Sequence, residues 1–211
     1  VYSGVSNKFS KVTNSRVQVA IDLLTSDITY VSIDTYTKND LKACHDLSIQ
    51  KGDLIIRDRG YFNIQNFNLI VDSEANFISR HYNGINYYST NGELIDILKL
   101  LKKTKNVKIQ VKLSKPDGLL VWLHARQIPV GIANERRRKA KANQGAKRPI
   151  QKETLALLNW NIIITSFADY EFTYEELYQL YALRWRIEIL FKALKSKLNL
   201  NKIHKVPDKQ F

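Results

Sequence analysis

One cysteine, Cys44, is all the sulfur in this 211-residue chain, which has no methionine. A single thiol forms no internal disulfide, so the chain reads as a product of a reducing compartment rather than a stapled secreted domain. Cys44 has His45 beside it but no second cysteine and no spaced histidine pair, which argues against a zinc site. Acid is also scarce: 20 Asp and Glu stand against 33 Lys and Arg, a formal charge of +13. That excess implies an anionic partner, nucleic acid first and an anionic membrane surface second. No apolar run reaches the roughly 20 residues of a membrane-spanning helix and no signal-peptide layout opens the chain, so the membrane is the poorer choice. With no methionine and a start at Val1, the chain reads as a piece of a longer protein, unless modified methionines have dropped out of the sequence. What remains is globular material, 44% hydrophobic and 10% aromatic, enough for one large domain or a domain carrying an insertion.

Alternation organises the first half. Val17, Val19, Ile21 and Leu23 share one face across residues 16–24, a half-buried strand, and Thr25-Ser26-Asp27 turns it into a second strand near 28–33. Leu41, Cys44 and Leu47 behind Asn39 and Asp40 predict a helix over 37–49. After Gly52 the apolar run 54–56 predicts a buried strand that ends at Asp58-Arg59-Gly60-Tyr61. A carboxylate at such an exit is either a catalytic group or a plain turn aspartate. Residues 82–135 are β-rich, alternating at 107–113 and 119–128 around the turn Lys115-Pro116-Asp117-Gly118, with a short helix at 94–101. From Asn134 to Arg148 seven cations stand against one anion, Glu135. Such a run is a solvated loop or a phosphate clamp, and the charge excess favours the clamp. Trp160 opens a strand to Thr165, and Thr173 with Glu176 forms a capping box for the helix that follows.

The most informative stretch is that helix. Tyr181, Arg184, Glu188, Lys192 and Lys195 fall within roughly 80° of one another, beside an apolar stripe of Leu180, Ile187, Leu190, Leu194 and Leu198. A lone carboxylate among cations suits a divalent metal next to a polyanion, while the plainer alternative is a solvated face laced with i,i+4 pairs. The spacing Tyr, two residues, Arg, three, Glu, six, Lys is complete, and the composition yields roughly 0.002 such matches by chance. It resembles the YREK signature of bacterial insertion-sequence transposases with a DDE catalytic triad, the insertion-sequence-four-like group. Asp58-Arg59-Gly60-Tyr61 resembles the segment bearing that family's second acid, Phe77 to Arg80 the strand after it, and Glu135-Arg136-Arg137-Arg138 a basic run in its insertion.

The resemblance implies an RNase H-like α/β fold, a mixed sheet with flanking helices and a β-rich insertion between the second and third catalytic acids. The division it implies is 1–80 for the first part of the core, 81–155 for the insertion with its basic segment, and 156–211 for the rest of the core with the signature helix. It implies Asp58 and Glu188 as catalytic metal ligands, in a two-metal site for Mg²⁺ or Mn²⁺. It places Tyr181, Arg184 and Lys195 on the DNA backbone and makes Arg80, Arg136, Arg137, Arg138, Lys139 and Lys141 phosphate contacts. Trp160 becomes a platform for a flipped base, with a core tryptophan as the alternative. The implied reaction is cleavage at transposon ends and joining of the freed 3′-hydroxyl to target DNA, in the bacterial cytoplasm, by a homodimer formed on those ends. One acid departs from the pattern. The first belongs on a strand upstream of the opening hairpin, and Asp22, the best substitute, reads as a polar-face strand residue. Two readings follow: a transposase catalytic fragment, itself inactive for want of the first aspartate, or a silent truncated transposase acting as a DNA-binding or inhibitory protein.

Overall fold

A computed structural model describes residues 5–7, 10–12, 15–35, 48–144, 149–168 and 171–197. The helix expected over 37–49, with Cys44 and His45, lies outside the described residues except for its last two positions, as do Lys147, Arg148 and Leu198. Two compact units divide the chain, Val1–Asn39 with Ala182–Phe211, and Asp40–Tyr181.

In the first unit, β1 (Val5–Asn7) pairs with β2 (Ser10–Val12), and β3 (Ser15–Ile21) pairs antiparallel with β4 (Ile28–Thr35). Val17 faces Ile33 and Val19 faces Val31, as the alternation predicts. The first strand is shorter than expected. It stops at Ile21, and Asp22 closes the turn by accepting the N–H of Leu24 at 2.7 Å, with Ser26 at φ 67°. An aspartate side chain offers the backbone an alternative to the ladder, and here the turn takes it. Asp22 is therefore a turn residue and not a polar-face strand residue. On the hairpin's apolar face Ile28, Val31 and Ile33 are 48%, 55% and 57% exposed.

The second unit holds a seven-stranded sheet. β5 (Leu54–Ile56) runs parallel to β6 (Asn76–Arg80), joined by a 3₁₀ turn (Arg59–Tyr61) and α1 (Ile64–Asp72), whose Asn63 cap accepts the Gln65 N–H at 2.8 Å. Then follow β7 (Tyr87–Tyr88), β8 (Leu94–Ile95), α2 (Ile97–Lys103), β9 (Asn106–Leu113), β10 (Leu120–Gln127), α3 (Val130–Ala142), α4 (Lys152–Leu157), β11 (Trp160–Thr165) and α5 (Tyr174–Ala182). The last described helix, α6 (Trp185–Lys197), belongs to the first unit and packs on β3. The strand order is β5-β6-β11-β10-β9-β7-β8, every pair antiparallel except β5 with β6. This is the RNase H-like mixed sheet with flanking helices, and its β-rich insertion adds strands to the same sheet.

The two sheet faces are buried unequally. On one face Phe77, Val111, Leu123 and Ile164 meet Phe67 and Ile70 of α1 and Leu101 of α2, with Phe67 stacked on Phe77 at 4.2 Å. Each large side chain buried there stabilises the fold by roughly 1.5–3 kcal/mol. On the other face Ile78 and Ile163 lie under Leu177 and Tyr181 of α5, with Leu54 and Ile56 alongside. β5, β6 and β11 are thus apolar on both sides, whereas β9 and β10 feed only the first core. That is why the former read as continuous apolar runs and the latter alternate.

The β9–β10 turn depends on a glycine. A Cβ built on Gly118 would sit 1.9 Å from the carbonyl oxygen of Leu113. Gly131, inside α3, has nothing within 4 Å of such a carbon. Gly118→Ala should therefore destabilise by about 1–3 kcal/mol through forced overlap. Gly131→Ala should stabilise by roughly 0.5–1 kcal/mol by helix propensity. Urea midpoints shifting in opposite directions would bear this out; equal shifts would not.

A second prediction concerns acid. His81 is buried just after β6, with Nδ1 2.7 Å from the Tyr87 hydroxyl. Burial first, and the Arg59 guanidinium second, hold its pKa down to about 4. Because the unfolded chain titrates near 6.5, it binds the extra proton between those values. Stability is full above about pH 6.5 and falls by about 3 kcal/mol as pH drops to 4. His81→Gln should flatten that stretch of the stability profile measured by urea unfolding.

Candidate functional site

Asp58 sits two residues past β5. Its Oδ1 accepts the Gly60 N–H at 2.9 Å and caps the 3₁₀ turn, and the residue stays exposed. Arg80 ends β6 and is half-buried, opposite Ile163 of β11. Because β5 and β6 are parallel, with Ile56 facing Ile78, Asp58 and Arg80 leave the sheet at the same, C-terminal edge. Such edges are where α/β sheets gather functional groups.

As far as Ala142 the basic run is a helix and not a loop, since Val130 to Ala142 form α3. Its cations divide by face. Arg136 donates to the Asn161 side-chain oxygen at 2.8 Å and to the Trp160 carbonyl at 3.3 Å. Burial, and after it the nearby Arg80 charge, lower the Arg136 pKa. Arg137 donates to the side chains of Asn159 and Asn134. Arg138 grips Glu135 with two bonds of 2.9 Å, and Lys139 lies 3.4 Å from the same carboxylate. Glu135 is pushed down to about 2, first by the hydrogen bond from Arg138. Lys141 is exposed. Arg136 and Arg137 thus brace α3 against the start of β11, and Arg138, Lys139 and Lys141 form its outer side. Trp160, half-buried at that start, packs against the first core.

The signature stripe does not lie on one unbroken helix. α5 ends at Ala182 and α6 begins at Trp185, with tight bonds from Arg186 N–H to Leu183 O and from Ile187 N–H to Arg184 O. The reason is structural. Tyr181 is anchored in the core of the second unit at 7% exposure, and the chain passes there into the first unit. Within that unit Arg184, in the turn, is paired with Glu188 in the first turn of α6 and lies 5.7 Å over the Trp185 ring. A carboxylate in a helix's first turn is favoured by the macrodipole. Glu188, Phe191, Lys192, Lys195 and Ser196 line an open hollow of about 640 Å³. Further along, Arg186 donates to the Leu23 carbonyl at 2.8 Å, tying α6 to the hairpin turn.

Two features escaped the sequence reading. Arg126 of β10 is paired with Glu175 and sits 5.2 Å over the Tyr174 ring, fixing the start of α5 to the sheet. Asn161, flanked by apolar residues in β11, is the buried acceptor for Arg136. A lone amide inside an apolar strand was the available signal. Among the described residues no group of three or more His, Cys, Asp or Glu is arranged to hold a metal, and no helix is long and apolar enough to cross a membrane. Asp58 belongs to the second unit and Glu188 to the first, and carboxylate oxygens of this kind are the donors that a hard cation such as Mg²⁺ or Mn²⁺ takes.

Known proteins bear on this arrangement. The chain is 27% identical over 219 residues to the transposase for insertion sequence element IS1151 of Clostridium perfringens, covering 93% of this chain and 46% of that protein. It is 27% identical over 161 residues to the putative transposase InsL for insertion sequence element IS186A of Escherichia coli (strain K12), covering 71% and 44%. It is 24% identical over 226 residues to the transposase for insertion sequence element IS231F of Bacillus thuringiensis subsp. israelensis, covering 95% and 47%. The chain thus spans a little under half the length of these relatives. The model of the family described as the transposase DDE domain matches residues 5–206, nearly the whole sequence, and the chain belongs to that family.

Proposed function

We propose that this chain belongs to the catalytic domain of an insertion-sequence transposase of the YREK group, an enzyme that in its complete form cuts DNA at the element's ends and joins the freed strand to a target in a metal-dependent reaction, whereas the chain by itself is inactive. The observation that carries this reading is the exposed Asp58 carboxylate at the exit of β5, on the same sheet edge as Arg80. The complete Tyr181, Arg184, Glu188 and Lys195 spacing supports the group assignment. Asp58 and Glu188 are the carboxylates assigned to the metal, which when bound would activate the attacking oxygen and stabilise the leaving one. Arg184 neutralises and orients Glu188. Tyr181, Arg184, Lys195 and Arg80 are assigned to the DNA backbone, and Trp160 to an unpaired base. Transposon ends and target DNA are the partners, engaged by a homodimer in the bacterial cytoplasm.

In the complete reading frame, Mg²⁺- or Mn²⁺-dependent nicking at the element's own ends is expected. Glu188→Gln and Asp58→Asn should each lower it at least about a hundred-fold, roughly 2.7 kcal/mol of barrier. Nicking undiminished by Glu188→Gln would leave the signature a charged face only. DNA binding without nicking in every form would favour the silent, DNA-binding reading.

The division of cations on α3 gives a separate test. Arg138→Ala, Lys139→Ala and Lys141→Ala combined should reduce the log–log salt slope of duplex binding by up to about 2.7, at roughly 0.9 per phosphate. Arg136→Ala should instead lower the urea midpoint, because it strips the buried Asn161 oxygen of its donor. A triple variant with the parent's slope would make the outer side of α3 a bystander.

A further inference from the structure

The sheet's second face is covered only in part. α5 and the second core lie over β5, β6 and β11, Arg126 of β10 pairs with Glu175 and touches Tyr174, and the cover reaches His124, the next residue on that face, which is buried. Beyond it the register fixes which side chains share the bare face. Trp122 of β10 faces Gln110 of β9, and Tyr88 of β7 faces Lys112. Their strand neighbours Leu123, Ile109, Val111 and Tyr87 belong to the first core, so these four point the other way. Trp122 and Tyr88 are half-buried and pack against neither core. Lys108 and Gln110 are exposed, and on the same face Leu94 and Leu120 are 64% and 43% exposed. No carboxylate occurs in β7, β9 or β10 themselves.

We infer that this face of β7, β9 and β10 is a binding platform for unpaired DNA, with Trp122 and Tyr88 stacking on bases, Lys112 taking a phosphate between them and Lys108 one on the far side of Trp122. The inference rests on the transposase reading, in that DNA is the anion at hand. Three arguments select the occupant. A second copy of this chain, docked two-fold on the same face, would set lysines against lysines. A flat sheet cannot enter a duplex groove as a helix or two-stranded ribbon does, and paired bases hide their π-faces in the stack. Unpaired bases do offer those faces, and aromatic side chains interleaved with cations on a strand surface match them. With neighbouring strands about 4.8 Å apart and alternate residues about 6.8 Å apart, the two rings are rooted roughly 12 Å from each other, leaving Lys112 and Gln110 between them.

The test uses the full 211-residue chain with a fluorescent oligothymidylate of about 20 nucleotides, longer than the site of a typical single-strand-binding fold, and a duplex of equal length. Trp122→Ala and Tyr88→Ala should each weaken oligothymidylate binding about ten-fold, and Trp122→Phe should stay within about three-fold of the parent. Lys108→Ala with Lys112→Ala should reduce the single-strand salt slope by about 1.4, at roughly 0.7 per phosphate. Duplex affinity should fall less in every case. Urea midpoints identify any variant that has lost its fold, and the lysine pair, which leaves the packing in place, then decides the matter. Parent-like affinity and slope in all variants would overturn the platform. So would equal losses on single strand and duplex, or a change in oligomeric mass with DNA binding intact. If α3 variants lose duplex binding while these variants behave as the parent, the platform fails and the transposase reading stands. If the parent binds neither DNA at low salt, both fail.

Discussion

The second unit hangs on the pairing of β6 with β11. Only three residue pairs make it, Ile163 with Arg80, Ile164 with Ser79 and Thr165 with Ile78. Without them the parallel pair β5–β6 would be cut off from the five antiparallel strands. Side chains lengthen the seam. Buried Thr165 donates to the Phe77 carbonyl at 2.8 Å, Ser166 accepts the Phe77 N–H at 3.0 Å, and its own hydroxyl reaches Asn76 at 2.9 Å. In an apolar setting such bonds matter most by their absence, because a lone buried carbonyl or hydroxyl costs about 1–3 kcal/mol. The seam joins segments nearly ninety residues apart and so sets the strands between them in the same sheet as the edge that carries Asp58 and Arg80.

Much of this was legible in the residues because burial imposes period. β9 alternates since only one of its faces meets a core, and the Lys115 to Gly118 turn declares itself through proline and glycine. The capping box holds in both directions: the Thr173 N–H reaches Glu176 at 2.7 Å and the Glu176 N–H returns to Thr173 at 3.3 Å. Other features were hidden because local pattern and tertiary demand pull apart. The stripe from Tyr181 to Lys195 has a helix's period throughout, yet the chain breaks at Leu183 and Arg184, where it passes between units. Nor does period reveal that residues 94–95 pair with β7 before the helix starts at Ile97.

The candidate site divides in the same way. The exposure of Asp58 at a strand exit followed from an apolar run meeting a polar turn. For the cations of α3, a count of charge gave no hint of their allegiance. Arg136 and Arg137 answer to asparagines of the β11 edge, whereas Arg138 and Lys139 answer to a glutamate on their own helix. Identical side chains in succession point in different directions because the helix advances about 100° per residue. A basic run is therefore a poor measure of how much charge a protein presents to its partner.

Arg136 is partly withdrawn from water, and after that burial the Arg80 charge is what lowers its pKa. Arg136 is held by neutral acceptors, the Asn161 oxygen and the Trp160 carbonyl. An anion seated between the two guanidiniums is attracted to both and at the same time removes the penalty they exert on each other. By thermodynamic linkage, whatever that anion gains from the edge, the edge gains from the anion.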